Sequence, residues 1–305
     1  MPTNKEKNFI SAVVYMHDNQ ATIVPFVDSL NRTLADNFDR YEIIIVNDCS
    51  ADRSVELVKQ YAKEHEAGAI SILNMGYPQG VEQSMNAGID LAIGDFVFQF
   101  DSAVCQWQWD MLMDVYRRSL QGFDIVCAVN ECHRRSQPLF YRLFNRYADV
   151  QHPVTDYAFM LITRRGINRV GSLTKVVPYR NALYANCGLA MENMTYCHTA
   201  GAGVPSGRRS YSNLILFTDL GYRIARNLTF VMALIVLLIF IYAVVIFFFG
   251  HPVEGWTTTM LLMSTSFFGI FAVLAVVLKY LSVITGLIFK KQHYIFSSIE
   301  KLVNQ

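Results

Sequence analysis

Three acidic residues that follow short apolar runs are the first candidates for chemistry in this chain. They are Asp18, Asp48 and Asp101, and glycines stand nearby at positions 76, 80 and 94. Apolar runs of this length are typical of buried strands, and the carboxyl ends of parallel strands meet at one edge of a sheet. We therefore expect the three acids to converge on a polar, phosphate-bearing ligand that is held through a cation or through hydrogen bonds.

Each of these acids also has a structural alternative. Asp18 and Asp48 are of a residue type that forms turns, and Asp101 could cap the helix that follows it. After Asp101 the sequence reads SAVC, and the next acid is Asp110. Asp101 is therefore a lone carboxylate at a predicted strand end, in a place that often holds a metal ion.

The elements that must position these acids alternate between strand and helix. In the first predicted helix, Ile23, Val27 and Leu30 recur at helical spacing, whereas the runs on either side are mostly apolar and of strand length. The predicted strands are 8–16, 41–47, 68–73, 95–100 and 123–129, and the predicted helices are 20–35, 50–65, 80–92 and 109–120. This order predicts an α/β domain whose mostly parallel sheet carries helices on both faces.

Two long uncharged stretches in the C-terminal part predict membrane spans. They cover residues 228–249 and 256–278, and the second extends to 289 if Lys279 is included. Each is long enough to cross roughly 30 Å of hydrocarbon, and the short loop GHPVEG joins them into a predicted two-helix transmembrane hairpin. The segment 210–226 places apolar residues along one side of a helix, which predicts an interfacial helix, with an ordinary core helix as the alternative.

Charge and cysteine patterns indicate in which compartment the protein lies and which classes of partner it is expected to have. Basic residues flank the predicted hairpin at positions 223, 226, 290, 291 and 301, so the positive-inside rule places both termini and the N-terminal domain in the cytoplasm. A net charge of +1 and the lack of a basic stripe argue against a nucleic-acid partner. The six cysteines include no CxxC pair, which favours reduced thiols. The oligomeric state is left open, and a homo-oligomer is compatible with the sequence.

Four segments of the chain resemble motifs of family 2 glycosyltransferases. IIIVNDCSADRSVELV (43–58) is similar to the nucleotide-binding strand and turn of that family, and LNMGYPQGVEQSMNAGIDLAIGDFVFQFD (73–101) is similar to the stretch that ends in its DxD motif. LFYRLFN (139–145) and TDYAFMLITRR (155–165) look like later segments of one branch, the polyprenyl-phosphate glycosyltransferases related to dolichyl-phosphate mannose synthase. The resemblance covers nearly the whole chain.

This resemblance implies a fold and a division of the chain. The implied fold is GT-A, the nucleotide-diphospho-sugar transferase fold, followed by the interfacial helix and the transmembrane hairpin. The implied parts are a cytoplasmic glycosyltransferase domain (1–209), a juxtamembrane helix (210–226), two transmembrane helices (227–289) and a cytoplasmic tail (290–305). The implied location is the bacterial inner membrane, as a multi-pass protein.

The resemblance also implies an activity and candidate roles for residues. The activity is transfer of a sugar, with inversion, from a UDP- or GDP-sugar to a polyprenyl (undecaprenyl) phosphate, for synthesis or modification of cell-surface polysaccharide. Asp48 would contact the nucleotide base or ribose, and Asp101 would contact the diphosphate or its metal ion. Further candidates are His17, Asp18 and Asn19 in the base pocket, Ser50, Gly76, Ser102, Asp156, Arg208 and Arg209 at the substrates, and Arg135 and Arg180 as catalytic residues.

Several positions depart from the family motifs, and among them Asp18 and Asn19 stand where Asn and Glu are expected. Asn47 and Cys49 stand where Asp and Gly are usual, His17 replaces a base-stacking Tyr, and Ala103 replaces the second DxD carboxylate. A Mg²⁺ or Mn²⁺ ion would then be held by Asp101 alone, in a site completed by the diphosphate, because such ions bind through one or two carboxylates plus substrate phosphates. Arginines that neutralise the leaving group are the alternative to a metal ion, and the candidates are Arg134, Arg135, Arg180, Arg208 and Arg209.

Other interpretations stay open at this point. A phosphate acceptor is already ionised near neutral pH and needs no base, whereas a sugar acceptor on a lipid-linked intermediate would need one. Arg134 and Arg135 are alternatively part of a solvated loop, and Arg208 and Arg209 are alternatively basic residues that flank a membrane. The changed motif positions also permit a second function, in which a catalytically degenerate glycosyltransferase serves as a membrane-bound binding or scaffold protein.

Overall fold

The protein folds into two compact units. They are Met1–Ser210 together with Lys291–Gln305, and Tyr211–Lys290. The computed structural model describes residues 5–65, 69–130, 145, 152–155, 157–173, 180–196, parts of 227–245, 255–288 and 294–302.

The first unit alternates strands and helices. Its strands are β1 (Ile10–Met16), β2 (Tyr41–Asn47), β3 (Ala69–Met75), β4 (Phe96–Phe100), β5 (Ile125–Asn130), β6 (Phe159–Thr163), β7 (Met191–Tyr196) and β8 (Phe296–Leu302). Its helices are α1 (Ile23–Asn37), α2 (Ser54–Glu64), α3 (Val81–Leu91), α4 (Asp110–Leu120), α5 (Arg164–Leu173) and α6 (Arg180–Ala185). Every element that the sequence predicts up to β5 is present, with ends shifted by a few residues.

The strands form one mostly parallel sheet, as predicted. Its order is β7-β5-β6-β4-β1-β2-β3-β8. The central strands β4, β1, β2 and β3 run parallel to one another, and β7 runs parallel to β5. β6 is antiparallel to both of its neighbours, and β8 is antiparallel to β3. The sequence pattern does not predict β8, which lies in the stretch assigned above to a tail.

Two apolar cores, one on each face of the sheet, fix the strand ends relative to each other. Successive strand residues point to opposite faces, so Ala12 and Val14 pack with α1 and α4, whereas Val13 packs with α3 on the other face. Gly88 lets α3 approach the sheet closely. A Cβ atom there would lie 2.5 Å from side-chain carbons of both Val13 and Val46.

The second unit contains a long apolar helix, α7 (Trp256–Ile288). Its segment Thr258–Leu281 has 24 residues, and the most apolar 18-residue stretch within it has a mean hydropathy of 2.4 and is not buried. Among the described residues this is the one helix that is long and apolar enough to cross a membrane, and a shorter apolar helix covers Phe230–Ile239. The first predicted span, 228–249, is described only in part, so the hairpin stays a prediction. The predicted interfacial helix 210–226 lies outside the described residues.

Candidate active site

The carboxyl ends of three neighbouring strands bring the predicted acids to one edge of the sheet. β1 lies between β2 and β4, and all three run in the same direction. Asp18 follows β1, Asp48 follows β2, and Asp101 follows β4. The amide of Asp48 donates to the carbonyl of Met16 at 2.9 Å, which extends the pairing of β1 and β2 up to this edge.

The carboxylate of Asp48 is buried and holds the loop that precedes α3. It accepts hydrogen bonds from the backbone amides of Gln79 (2.7 Å) and Gly80 (2.8 Å) and from the Tyr15 hydroxyl (3.0 Å). Asp48 is 2% exposed, and a buried carboxylate needs such donors in place of water. Burial raises the pKa of Tyr15, and the charge of Asp48 raises it further, so this hydroxyl keeps its proton. Because three protein donors surround Asp48, its contact with a nucleotide base or ribose stays a prediction.

The turn after β1 forms an accessible rim beside Asp48. Nδ1 of His17 lies 2.7 Å from the Asp48 carbonyl oxygen. Asp18 has a φ of 51°, its carboxylate accepts the amide of Ala51 at 2.7 Å, and its own amide donates to the Ser50 hydroxyl at 3.2 Å. The side chains of His17 and Asp18 are 42% and 48% exposed. Three of the predicted substrate-binding residues therefore share one exposed surface.

Two departures from the family motifs have local structural roles. The side-chain amide of Asn47 donates to Oδ1 of Asn74 on β3 at 3.0 Å, and its oxygen accepts the amide of Ser50 at 3.0 Å. An ionised aspartate at this position would have no hydrogen to donate to Asn74. Cys49 has a φ of 54°, in the left-handed region that favours glycine, and its thiol donates to the carbonyl of Met75 at 3.3 Å. Both residues thus tie the end of β2 to β3.

A fully buried arginine contacts the lone acid of the DxD position. Arg180 is 0% exposed, and its Nη2 donates to Oδ1 of Asp101 at 2.7 Å. Its Nη1 donates to Gln99 at 2.9 Å, and its Nε and backbone amide donate to one oxygen of Glu82 at 3.0 and 3.1 Å. One guanidinium therefore links α3, β4 and α6. These four residues are the arginine cluster.

The charges of the arginine cluster compensate one another. Burial alone would lower the pKa of Arg180, but the attraction of Asp101 and Glu82 raises it well above its ordinary value. Burial raises the pKa of Glu82, whereas Arg180 lowers it and Asp101 raises it again. Burial also raises the pKa of Tyr184, whose hydroxyl accepts a hydrogen bond from Gln99, to about 12. The guanidinium is therefore always charged, and two carboxylates already offset that charge.

Enclosure makes Arg180 a positioning residue for Asp101 in this structure. The sequence predicts Arg180 as a catalytic residue, and the fold places it beside Asp101, but its direct contact with a leaving group stays a prediction. Sequence reasoning missed Glu82 and Gln99. Gln99 is the single polar residue in β4, FVFQF, and Glu82 lies in the first turn of α3, so both carried a weak signal.

Asp101 fits a divalent cation as a single carboxylate ligand. Its Oδ1 faces Arg180, and its side chain is 30% exposed. Ser102 follows it, and Ala103 is buried in the apolar core, where it offers no oxygen. Within the described part of the chain no group of three or more His, Cys, Asp or Glu side chains is placed to hold a metal ion. Since such ions bind through one or two carboxylates plus phosphates, the second oxygen of Asp101 suits an ion that arrives with a diphosphate.

The remaining predicted residues fall into two groups. Asn19 lies in the turn after β1, where its side chain accepts the amide of His17 at 2.9 Å, and Gly76 directly follows β3 at the same edge. The others lie outside the described residues, and these are Arg134, Arg135, Asp156, Arg208 and Arg209.

Fold and site together define an α/β protein whose acidic residues meet at the carboxyl ends of its parallel strands. The chain belongs to glycosyl transferase family 2, whose sequence profile matches residues 11–184. This match covers more than half of the chain and includes the arginine cluster and β1 to β6, apart from Ile10. It confirms the predicted family and the predicted class of enzyme, a glycosyltransferase.

Individual relatives are more distant. The uncharacterized glycosyltransferase YkcC of Bacillus subtilis is 22% identical over 193 residues, which are 61% of this chain and 59% of the relative. The undecaprenyl-phosphate 4-deoxy-4-formamido-L-arabinose transferase of Pectobacterium carotovorum is 26% identical over 159 residues, which are 50% of this chain and 47% of the relative. The chain therefore spans less than two thirds of the length of either relative.

A solved structure supports the fold. The mannosyltransferase PcManGT of Pyrobaculum calidifontis, determined in complex with GDP-Man and Mn²⁺, matches 94% of this chain and 83% of its own chain. The TM-score is 0.51 at 15% sequence identity, so the likeness concerns the fold alone. It confirms a GT-A-like α/β fold with a mostly parallel sheet.

Proposed function

We propose that the protein transfers a sugar from a UDP- or GDP-sugar to a polyprenyl phosphate at a membrane surface, for cell-surface polysaccharide. Membership of glycosyl transferase family 2 supports the transfer reaction. The name of the Pectobacterium relative supports undecaprenyl phosphate as acceptor, and the solved mannosyltransferase supports a nucleotide-sugar donor. The long apolar helix supports a site of action at a membrane.

The position of Asp101 is the observation that carries this proposal. Open parallel sheets bind ligands outside the carboxyl ends of their strands, and Asp101 directly follows the strand next to β1. Asp48 at the same edge is enclosed by protein donors, whereas Asp101 is 30% exposed and held in place by Arg180. Asp101 therefore combines access to a ligand with a fixed orientation.

The chemistry needs mainly positioning and charge compensation. The bond between the anomeric carbon and the diphosphate oxygen breaks while an oxygen of the acceptor phosphate attacks from the opposite side, which inverts the configuration. A phosphate monoester has a second pKa of about 6, so the acceptor is ionised at neutral pH and no base is required. The remaining demand is to stabilise the negative charge of the leaving nucleoside diphosphate.

The negative charge of the leaving diphosphate must be compensated by groups outside the arginine cluster, because Glu82 and Asp101 already offset the charge of Arg180. A Mg²⁺ or Mn²⁺ ion on Asp101 and the donor diphosphate would supply positive charge at the leaving group. The other arginines predicted from the sequence are the alternative source, and these are Arg134, Arg135, Arg208 and Arg209. In either case we propose that His17, Asp18 and Ser50 form the rim that receives the nucleotide.

The course of the chain supports an anchor with an even number of membrane crossings. Residues up to Ser210 and residues from Lys291 belong to one folded unit. A folded unit lies on one side of a bilayer, and we therefore propose that the apolar segment between these residues begins and ends on the same side. The helix Trp256–Ile288 would then need a partner, and 228–249 is the predicted one. Basic flanks favour the cytoplasm of a bacterial cell for the folded unit.

A lipid-product assay tests the proposed function. The full chain in detergent micelles is incubated with labelled UDP-sugars and GDP-sugars and with undecaprenyl phosphate, and label is measured in the organic phase. We expect labelled lipid with one donor, loss of this product in Asp101→Ala, and retention in Asp110→Ala. Asp110 is a matched control because it is the next acid in the sequence and is exposed at the start of α4.

Two results would contradict the proposal. If calorimetry detects no binding of any UDP- or GDP-sugar, the proposal that a nucleotide sugar is the donor is refuted, and with it the proposed transfer reaction. Donor binding without product, in the wild type and with every donor tested, would instead favour the scaffold alternative.

A further inference from the structure

β8 returns the C-terminal end of the chain to the sheet beside the candidate site. It pairs antiparallel with β3. Lys59 of α2 forms an ion pair with Glu300 of β8, with 2.6 Å between Nζ and Oε2. The hydroxyl of Tyr294, just before β8, donates to Asp90 near the end of α3 at 2.6 Å. The segment is therefore fixed to helices on both faces of the sheet.

Ile295, the residue before β8, binds the loop that Asp48 holds. We call this loop, residues 76–80, the donor loop, after the nucleotide-sugar donor of the proposed function. The amide of Gly76 donates to the Ile295 carbonyl at 2.9 Å, and the side chain of Gln79 donates to the same carbonyl at 2.6 Å and accepts the Ile295 amide at 3.1 Å. The backbone amide of Gln79 donates to Asp48 at 2.7 Å. One residue, Gln79, thus joins the C-terminal segment to the buried acid of the site.

A second connection runs through side chains of three adjacent strands. Glu300 of β8 accepts a hydrogen bond from Nδ2 of Asn74 at 3.0 Å, and Oδ1 of Asn74 accepts one from Asn47 at 3.0 Å. Asn47 in turn accepts the amide of Ser50 on the accessible rim at 3.0 Å. A carboxylate only accepts, so Glu300 fixes the orientation of the Asn74 amide, and that orientation requires a donor at position 47. This accounts for Asn47 where the family motif has Asp.

The composition of the donor loop explains why such contacts matter. Pro78 has no amide hydrogen to donate, Gly80 has a φ of 82°, and Tyr77 is 50% exposed. The glycines at positions 76 and 80 give the loop additional accessible conformations when it is not held, and ordering it costs conformational entropy. When only part of the population has the binding-competent loop, the apparent affinity for a ligand falls by that fraction.

We propose that β8, together with the adjoining residues Tyr294 and Ile295, positions the donor site. Ile295 fixes the donor loop and Glu300 fixes the Asn47–Ser50 turn through Asn74, and these contacts set the affinity for the nucleotide part of the sugar donor. This inference rests on the proposed function, because it concerns the same site. It makes Gln79 a positioning residue that acts through the loop and through Asp48.

The test compares Gln79→Ala with wild type in the full chain in detergent micelles. This variant removes both side-chain hydrogen bonds to Ile295 and leaves the backbone bond to Asp48. We expect the Kd for UDP or GDP and the donor KM to rise about threefold to tenfold, with kcat at saturating donor unchanged. Amide hydrogen exchange of residues 76–82 in the ligand-free protein should become faster.

Two further variants separate positioning from a general loss of structure. Tyr294→Phe removes the hydrogen bond to Asp90 and should change the Kd in the same direction by a smaller factor. Lys301→Ala alters an exposed residue of β8 and should change neither the Kd nor the exchange rates.

Each outcome bears on a specific claim. Unchanged Kd and donor KM in Gln79→Ala, or a fall in kcat with an unchanged Kd, would overturn the role of β8 and leave the proposed function intact. A wild-type protein that binds neither UDP nor GDP would overturn the proposed function and this role together. An equal effect of Lys301→Ala would also overturn the role, because that residue does not contact the donor loop.

Discussion

Replacement of Arg180 by methionine tests whether the arginine cluster holds the end of β4. Methionine fills much of the same space but donates no hydrogen bond, so Glu82 and Asp101 lose their shared cation and Gln99 loses a donor. We expect Arg180→Met to lower the free energy of unfolding by about 3 kcal/mol.

The magnitude follows from burial of the cluster. Removing one partner of a buried ion pair typically costs about 3–5 kcal/mol, because it leaves an uncompensated charge. Arg180 is completely buried, but the side chains of Glu82 and Asp101 are 24% and 30% exposed, so water compensates part of the loss. We therefore expect the lower end of the range. For a unit of this size, about 3 kcal/mol corresponds to a decrease in Tm of about 6–12 °C.

Thermal unfolding of the full chain in detergent micelles, followed by tryptophan fluorescence, measures this effect. Trp107 is a suitable reporter because it is buried and stacks on Phe100, the residue before Asp101. Arg117→Met is the matched control, since that arginine is 67% exposed and should change stability by less than about 0.5 kcal/mol. A Tm for Arg180→Met within about 1 °C of the control would refute the structural role of the cluster.

Two further experiments on Arg180→Met test the charge of Glu82: a change of pH and the additional replacement of Glu82 by glutamine. In Arg180→Met the pKa of Glu82, already raised mainly by burial, rises further because Arg180 no longer lowers it. An acid whose pKa is higher in the folded than in the unfolded state binds more protons when folded, so stability falls as the pH rises through that interval. The Tm deficit should therefore be larger at about pH 8 than at about pH 5. Glu82→Gln in the Arg180→Met background should reduce the deficit, and a larger deficit would contradict this account.

Asn47→Asp restores the residue usual in the family but should lower stability by about 1 kcal/mol, because Asn74 loses its donor; an increase in Tm would contradict this. The Arg165 guanidinium holds the pKa of buried Asp124 below its usual value, so this carboxylate contributes stability that is lost as the pH falls through its folded-state pKa. The Tm difference between wild type and Asp124→Asn should therefore shrink in acid, and a constant difference would exclude the pair as its cause. Calorimetric titration should show Mn²⁺ binding about tenfold more tightly with UDP or GDP than without, because Asp101 offers one carboxylate; equal affinities would contradict that site.

The sequence by itself determined the central architecture and the edge of the sheet at which the candidate acids meet. Short apolar runs such as the IIIV of residues 43–46 are typical of interior strands, and segments with helical spacing between them favour parallel connections. Parallel strands place their carboxyl ends at one edge, so the convergence of Asp18, Asp48 and Asp101 followed from their positions alone. These features are local or follow from general rules of chain connection, which is why a single sequence is sufficient to predict them.

Only the tertiary structure decided what each acid contacts. Arg180 lies 79 residues from Asp101 in sequence and Glu82 lies 98 residues from Arg180, and no periodic pattern specifies which charged residues will meet across such distances. β8 escaped prediction for a related reason. FSSIEKL is an exposed edge strand, stabilised by pairing with β3 rather than by an apolar face of its own, so its sequence carries little signal. Which charged residues pair with each other depends on how the whole chain packs. This packing encloses the carboxylate of Asp48 and leaves the carboxylate of Asp101 partly exposed.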